Sequence, residues 1–340
     1  MNSVVARWRV SREFIRLNIR LLMVALLVLL TLPARAGTSL WQVRDDQQNV
    51  VYLGGTIHLL RESDYPLPQA FQSIYQRSDT LVLETDLDVA ATPEGQQLLA
   101  RLMTASESER VEQVLSVRTR LRLKQMLEGY GTRWSDLKSY KVSMLVIILN
   151  VAEMRRLGMT AEGVDAHFHA QAQRDNKPVM SLETFEQQVT FLSHLGQGNE
   201  EDFVTMSLQE LDQTDAVMRE MVASWRIGDV AALRRSLLEE MQRDYPAMYQ
   251  QLLVARNQQW LLQLETLFQK PGTELVLVGV AHMLGEQGLL TLLRQQGYQV
   301  EPVALDTTHS VNTGRVNTGQ VDAGQVDAGQ VDAGQVASEP

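Results

Sequence analysis

Two histidines in this sequence stand in the same short context. Tyr52-Leu53-Gly54-Gly55-Thr56-Ile57-His58 is an apolar run ending in Gly-x-x-His, and Leu277-Val278-Gly279-Val280-Ala281-His282 repeats the arrangement. Imidazole nitrogens bind Zn, Mn, Co or Fe. Two imidazoles and a carboxylate make a common three-ligand metal site with an open position. Glu84, which follows Leu81-Val82-Leu83, is the candidate carboxylate, because a charge beside an apolar run is costly without a partner. Its role as ligand or as general base is open at this level. Asp86 is the neighbouring alternative, on the same face as Glu84 if the strand continues. Gly55 and Gly279 would let backbone pack close beside such a site. Glu183 follows a further strand-like run, 178–182, and would reach the same edge. Arg256-Asn257 falls in a helical stretch and reads equally as a solvated face or as part of a site. His167 and His169 are two apart on an expected helix and diverge by about 200°, so they read as surface or packing residues.

The elements that would position these groups are legible. Apolar, β-rich runs lie at 39–44, 50–53, 80–84, 178–182, 274–280 and 298–303. The loop Asp45-Asp46-Gln47-Gln48-Asn49 between the first two reads as a hairpin connection. The run 274–280 is continuously apolar, as a strand buried on both faces must be. Helical periodicity fills 67–77, 93–157 with a break near Gly129-Tyr130-Gly131, 164–175, 184–195 and 285–296. It also fills 200–268, with breaks at Gly228-Asp229 and Pro246. Helices between strands imply an α/β fold with a mixed sheet, flanking helices and a large helical insert. The run Met144 to Leu149 is too short to span a membrane and reads as a buried helix. If the two Gly-x-x-His strands are neighbours, both histidines emerge at the carboxyl edge, where open α/β sheets bind ligands.

The two ends read differently from the middle. Residues 1–36 carry six Arg and one Glu, an apolar run from Leu21 to Leu32, and Ala34-Arg35-Ala36 before Gly37. That order is an export signal, with an uncleaved inner-membrane anchor as the alternative. Either way the expected location is periplasmic or secreted. Residues 307–340 repeat a five-residue unit, three times as Val-Asp-Ala-Gly-Gln. Too few apolar side chains are present to offset the entropy of ordering, so a disordered tail is expected. Between them, 37–306 suits one α/β domain.

Composition narrows the chemistry. The 340 residues contain no cysteine, which excludes disulfides, thiolate ligands and a cysteine nucleophile. The formal charge of −10 opposes general nucleic-acid binding. No serine-nucleophile elbow, phosphate-binding loop or His-Glu-x-x-His motif is present.

The segments 52–58, Leu83-Glu84-Thr85-Asp86 and 278–285 together resemble the TraB/GumN family, which includes the pheromone-shutdown proteins and is related to the Tiki proteases. The resemblance takes in Gly163-Val164-Asp165, Ser181-Leu182-Glu183-Thr184, Trp225-Arg226-x-Gly228-Asp229 and Arg256-Asn257. It implies an erythromycin-esterase/ChaN-like α/β fold. It also implies a divalent metal (Mn, Co or Zn) held by His58, His282 and Glu84 as the catalytic centre, with Arg256 and Asn257 supporting the pocket. The expected function is an exported metal-dependent hydrolase, a peptidase by the Tiki analogy, acting on a peptide or small molecule. The alternative is a non-catalytic envelope protein of the same fold that binds haem, metal or peptide. Membrane contact is expected only through an uncleaved signal.

Overall fold

The computed structural model describes residues 37–159 and 162–303. The expected export segment, 1–36, and the repeat tail, 307–340, lie outside the described residues. A hairpin opens the described chain, with β1 (Leu40–Arg44) antiparallel to β2 (Val50–Thr56). Its turn is held by Asp45, whose carboxylate accepts the backbone and side-chain N–H groups of Asn49 at 2.8 Å each. The remaining strands are β3 (Thr80–Leu83), β4 (Val179–Ser181), β5 (Glu274–Gly279) and β6 (Gln299–Pro302). Together they form one mixed sheet in the order β4-β3-β5-β2-β1-β6. Its members are the six runs read from the sequence, with only their ends shifted.

The direction of the strands places the chemistry. β4, β3, β5 and β2 pair in parallel, and β1 runs against both of its neighbours. Gly279 stands opposite Thr56, and Leu83 stands opposite both Leu277 and Ser181. Thus four parallel strands end side by side. The chain beyond β2 carries His58, beyond β3 Glu84, beyond β4 Glu183, and beyond β5 His282. From β2 the chain moves to β3, past β5; from β5 it moves the other way to β6, past β2 and β1. The β2/β5 boundary is therefore a topological switch point, where departing connections leave a crevice at the carboxyl ends.

Leu275, Val276, Leu277 and Val278 of β5 are all fully buried, so helices cover both faces of the sheet. The helix Gln69–Arg77 contributes Phe71 and Ile74 to this core, and Thr214–Ile227 contributes Trp225. The Trp225 indole N–H donates to the Gly55 carbonyl at 2.6 Å, and Ser39 Oγ donates to the Trp225 carbonyl at 2.9 Å. These bonds fix that helix to β2 and to the start of β1. Gly228 closes it in a left-handed conformation (φ 67°), and Pro246 starts a later helix, at the two breaks read from the sequence.

A second apolar cluster lies in the helical insert, around Leu123, Leu127, Leu145, Leu149, Phe203 and Val204. The run Met144 to Leu149 belongs to the helix Val142–Arg156 and packs there. No described helix is long and apolar enough to cross a membrane.

Candidate functional site

A cavity of about 610 Å³ opens over the carboxyl ends of β2, β3 and β5. Its floor carries His58, Glu84, Arg256, Gly279 and His282, and Asp165 stands at its wall. The roof is apolar and flexible in kind: Met154, Met218, Met221 and Met241 with Leu237 and Leu252. Leu252 belongs to a π-helical turn, Gln250–Val254, and Leu237 to another, Arg235–Glu239. Such turns rotate the side chains that follow them and recur at functional sites. The first runs directly into the helix Ala255–Leu267, whose second and third residues are Arg256 and Asn257.

Arg256 organises the floor. One guanidinium nitrogen donates to Glu84 Oε2 and to Glu183 Oε1, both at 2.6 Å. The other terminal nitrogen donates to His282 Nε2 at 3.1 Å, and Nε donates to Glu183 Oε2 at 3.2 Å. The cation also lies over the Trp260 ring, 4.4 Å from its centre. Planar donors in a fixed fork suit this double carboxylate bridge, which a lysine could not copy. Glu84 uses its other oxygen to accept the Gly279 N–H at 2.7 Å. Burial works to raise the Glu84 pKa, but coupling to His282, the Arg256 and His58 charges and that N–H outweigh it and hold the carboxyl below the usual carboxylate range.

The two histidines have opposite surroundings. His282 is 5 % exposed. The Asn257 amide donates to the His282 and Gln287 carbonyls, so its oxygen is left to accept His282 Nδ1–H at 2.6 Å. The ring lies 4.4 Å from that of Trp260. Burial, with the Arg256 charge beside it, pushes the His282 pKa down to about 3, so the ring is neutral and carries its lone pair on Nε2. His58 faces the cavity with 58 % of its side chain accessible. Its Nδ1 meets Asp165 Oδ2 at 3.1 Å, and its Nε2 lies 3.9 Å from Glu84 Oε1. The Asp165 charge raises its pKa to about 9 against the opposing effect of burial. Solvent in the cavity weakens that pull.

Asp165 is the group that motif reading missed as a site residue. Its position is fixed by backbone: Val164 N–H donates to the Ile57 carbonyl at 3.0 Å, and a Cβ on Gly163 would lie 2.4 Å from the His58 carbonyl. The signal was the Gly163-Val164-Asp165 run, which periodicity alone assigns to a helix start. Glu183 is brought in, but behind Arg256 rather than on the cavity wall. Arg256 and Asn257, 8 % and 1 % exposed, are not a solvated face.

Asp86 is a correction. β3 ends at Leu83, and the Asp86 carboxylate caps the short helix Leu87–Ala91 by accepting the Asp88 and Val89 N–H groups. The period-two argument lapsed because the strand had already ended. Gly55 is a packing residue, since a Cβ there would lie 2.8 Å from Val280 Cγ2. A Cβ on Gly279 would instead lie 3.3 Å from Glu84 Oε1, 3.4 Å from His58 Nε2 and 3.7 Å from His282 Cδ2. His167 packs against Tyr65, His169 lies 3.4 Å from Asp88, and His194 bonds to the Thr190 carbonyl. None of these three lines the cavity.

Does this set suit a divalent cation? Among the described residues, no group of three or more His, Asp or Glu side chains is already arranged as a metal cage. His282 Nε2 is engaged by Arg256. The chemistry of the donors nevertheless fits. Each imidazole has Nδ1 tied to a side-chain oxygen, which is the outer partner that metal-bound histidines have. His58 Nε2 and Glu84 Oε1 converge beside Gly279. Glu84 and Glu183 bridge to Arg256 while Asp165 pairs with His58, so a cation that displaces the His58 proton meets an excess of negative charge.

The fold and floor define an α/β protein with a polar centre of paired histidines and carboxylates at the switch point of its sheet. The TraB/PrgY/gumN family model matches residues 39–302, and the chain belongs to that family. It is similar to the uncharacterized protein YbaP of Escherichia coli (strain K12), 26% identical over 247 residues that cover 72% of this chain and 87% of the relative. The YbaP of Shigella flexneri matches with the same identity and coverage. No solved structure matches.

Proposed function

We propose that this chain is an exported metal-dependent hydrolase, most simply a peptidase, that acts on carbonyl substrates with an apolar portion. The observation that carries this reading is the convergence of His58 Nε2, Glu84 Oε1 and the His282 ring around Gly279, at the floor of an apolar cavity. His58, Glu84 and His282 would hold the divalent ion. When bound, the ion supplies Lewis-acid polarisation of a carbonyl and a more acidic water. Asp165 holds the His58 ring so that Nε2 points inward, and Asn257 does the same for His282. Arg256 keeps Glu84 ionised and in place. The methionine and leucine roof receives apolar side chains of varied shape, because thioether chains repack readily, and it excludes bulk water. Export rests on the order of basic, apolar and small residues in 1–36.

The test is purified protein incubated with Mn, Co or Zn and assayed against a peptide library, beside the His58→Ala plus His282→Ala variant. Bound metal and cleavage in the wild type alone support the reading. Equal activity in both proteins, or no metal uptake by either, sinks it. Metal or peptide uptake with no turnover would favour a binding protein of the same fold.

A further inference from the structure

The helix Val117–Gly129 lies apart from the cavity and has an outer face that the hydrolase reading does not use. Its inner face is clear: Thr119, Leu123 and Leu127 are buried, and the two leucines join the second apolar cluster. The outer face is not the usual polar surface. Val117 is 62 % exposed and Leu121 is 51 % exposed. At about 100° per residue they lie about 40° apart on the outward side, with exposed Glu128 in line with them at the far end of the helix. Arg118 and Arg122 flank this apolar centre on one side, and Arg120 and Lys124 flank it on the other. Four basic residues thus fall within 118–124, with no acid among them.

These charges have little to neutralise them. Among the described residues, Arg118, Arg120 and Arg122 have no ion pair, while Lys124 has only an exposed contact with Glu128 at 3.9 Å. The nearby Glu201 is occupied at the start of the helix, where it accepts the Ser116 N–H and the Ser116 and Thr119 hydroxyls. Glu112 is exposed on the preceding turn. Arg110 and Arg133, at either end, are paired locally with Glu107 and Asp136. The patch belongs to a chain of net charge −10. The net charge of the chain opposes an anionic partner, and this face attracts one.

We infer that the outer face of the Val117–Gly129 helix docks the protein on an anionic lipid surface. An apolar centre with basic flanks on both sides is the arrangement of an interfacial helix: the apolar side chains enter the headgroup boundary while the basic ones meet lipid phosphates. A nucleic acid would engage the arginines and leave Val117 and Leu121 in water. The repulsion from the acidic remainder is screened beyond about 8 Å at physiological salt. It therefore selects the orientation without preventing contact. The proposal stands independently of the hydrolase reading.

The absence of cysteine permits a site-specific test in the full chain. Gln125→Cys, on the outer face of this helix, and Gln263→Cys, exposed on the Ala255–Leu267 helix, are each labelled with an environment-sensitive fluorophore. Vesicles of phosphatidylcholine with or without phosphatidylglycerol are then added. The expected result is a severalfold emission rise and blue shift at position 125 with phosphatidylglycerol vesicles only, with none at 263. High salt, or the added pair Arg118→Glu and Arg122→Glu, should remove it, and Val117→Ser with Leu121→Ser should weaken it. An unchanged signal at 125, an equal response at 263, or an equal response to pure phosphatidylcholine overturns the proposal. The readout is local, so association through residues 1–36 alone registers as no response at 125.

Discussion

The two Gly-x-x-His segments are alike in sequence and leave adjacent parallel strands with a one-residue offset, Gly279 opposite Thr56, yet their histidines live in different media. His58 faces the cavity and is held by a carboxylate; His282 is buried and held by an amide, a guanidinium and an indole. One pKa is driven up to about 9 and the other down to about 3. The motif fixes where a ring leaves the sheet. Its protonation is decided by chain that arrives from elsewhere: Asp165 in the first case, Arg256, Asn257 and Trp260 in the second. One motif thus supplies a half-exposed, charged ring and a buried, neutral one at the floor of the same cavity.

The largest effect expected on this asymmetry comes from its buried side. Arg256→Ala leaves Glu84 and Glu183 as buried carboxylates without their cation, and should cost about 3–5 kcal/mol in denaturant unfolding. Arg256→Lys should recover only part, because it cannot bridge both carboxylates. A fully stable Arg256→Ala protein would mean that the bridge is not formed. Next come the histidines themselves. His282→Ala strands the Asn257 oxygen and an Arg256 N–H, and should cost about 2 kcal/mol. His58→Ala loses a half-exposed pair with Asp165 and should cost less, about 1 kcal/mol or below, in the same experiment. Similar losses at both positions would erase the distinction.

The glycines sharpen the comparison one step down. Gly55→Ala places a methyl against Val280 side chain and backbone, and should cost about 1–2 kcal/mol in thermal melts. Gly279→Ala meets movable side chains at 3.3 to 3.7 Å, so it should cost less stability while weakening binding of any ion added. Calorimetric titration with Mn or Zn reads that second effect.

The smallest effect is the pH dependence of the metal-free protein, and its two limbs have different owners. His282, with its pKa lowered from 6.5 to about 3, contributes stability that is lost as pH falls below 6.5, and Glu84 adds to this loss at still lower pH. The raised pKa of His58 gives stability that is complete below 6.5 and is lost as pH rises through about 9. Asp165→Asn should flatten the alkaline limb alone and bring the His58 ring titration, read by NMR, back toward 6.5. A change in the acid limb would show that the two rings titrate as one unit.

Much of this molecule was legible in residue order. The six strands were, because alternating or continuous apolar runs bounded by polar turns have few other ways to bury themselves. The helix breaks at Gly228 and Pro246 were legible, because backbone preference is local. His58, His282 and Glu84 were legible as strand-end groups, since a strand exit is a local event. Asp86 was misplaced because the point at which β3 stops pairing is set by β4 and β5, not by its own residues. Sequence alone thus determined the strands, their carboxyl-end residues and an expected shared edge. Tertiary structure decided the rest: β2 and β5 became neighbours, Asp165 was carried to one histidine and Arg256 to the other, and one ring was opened while its counterpart was buried. Contacts between residues 25 to 172 positions apart leave no periodicity in the chain; they exist only once the sheet and its helices have packed.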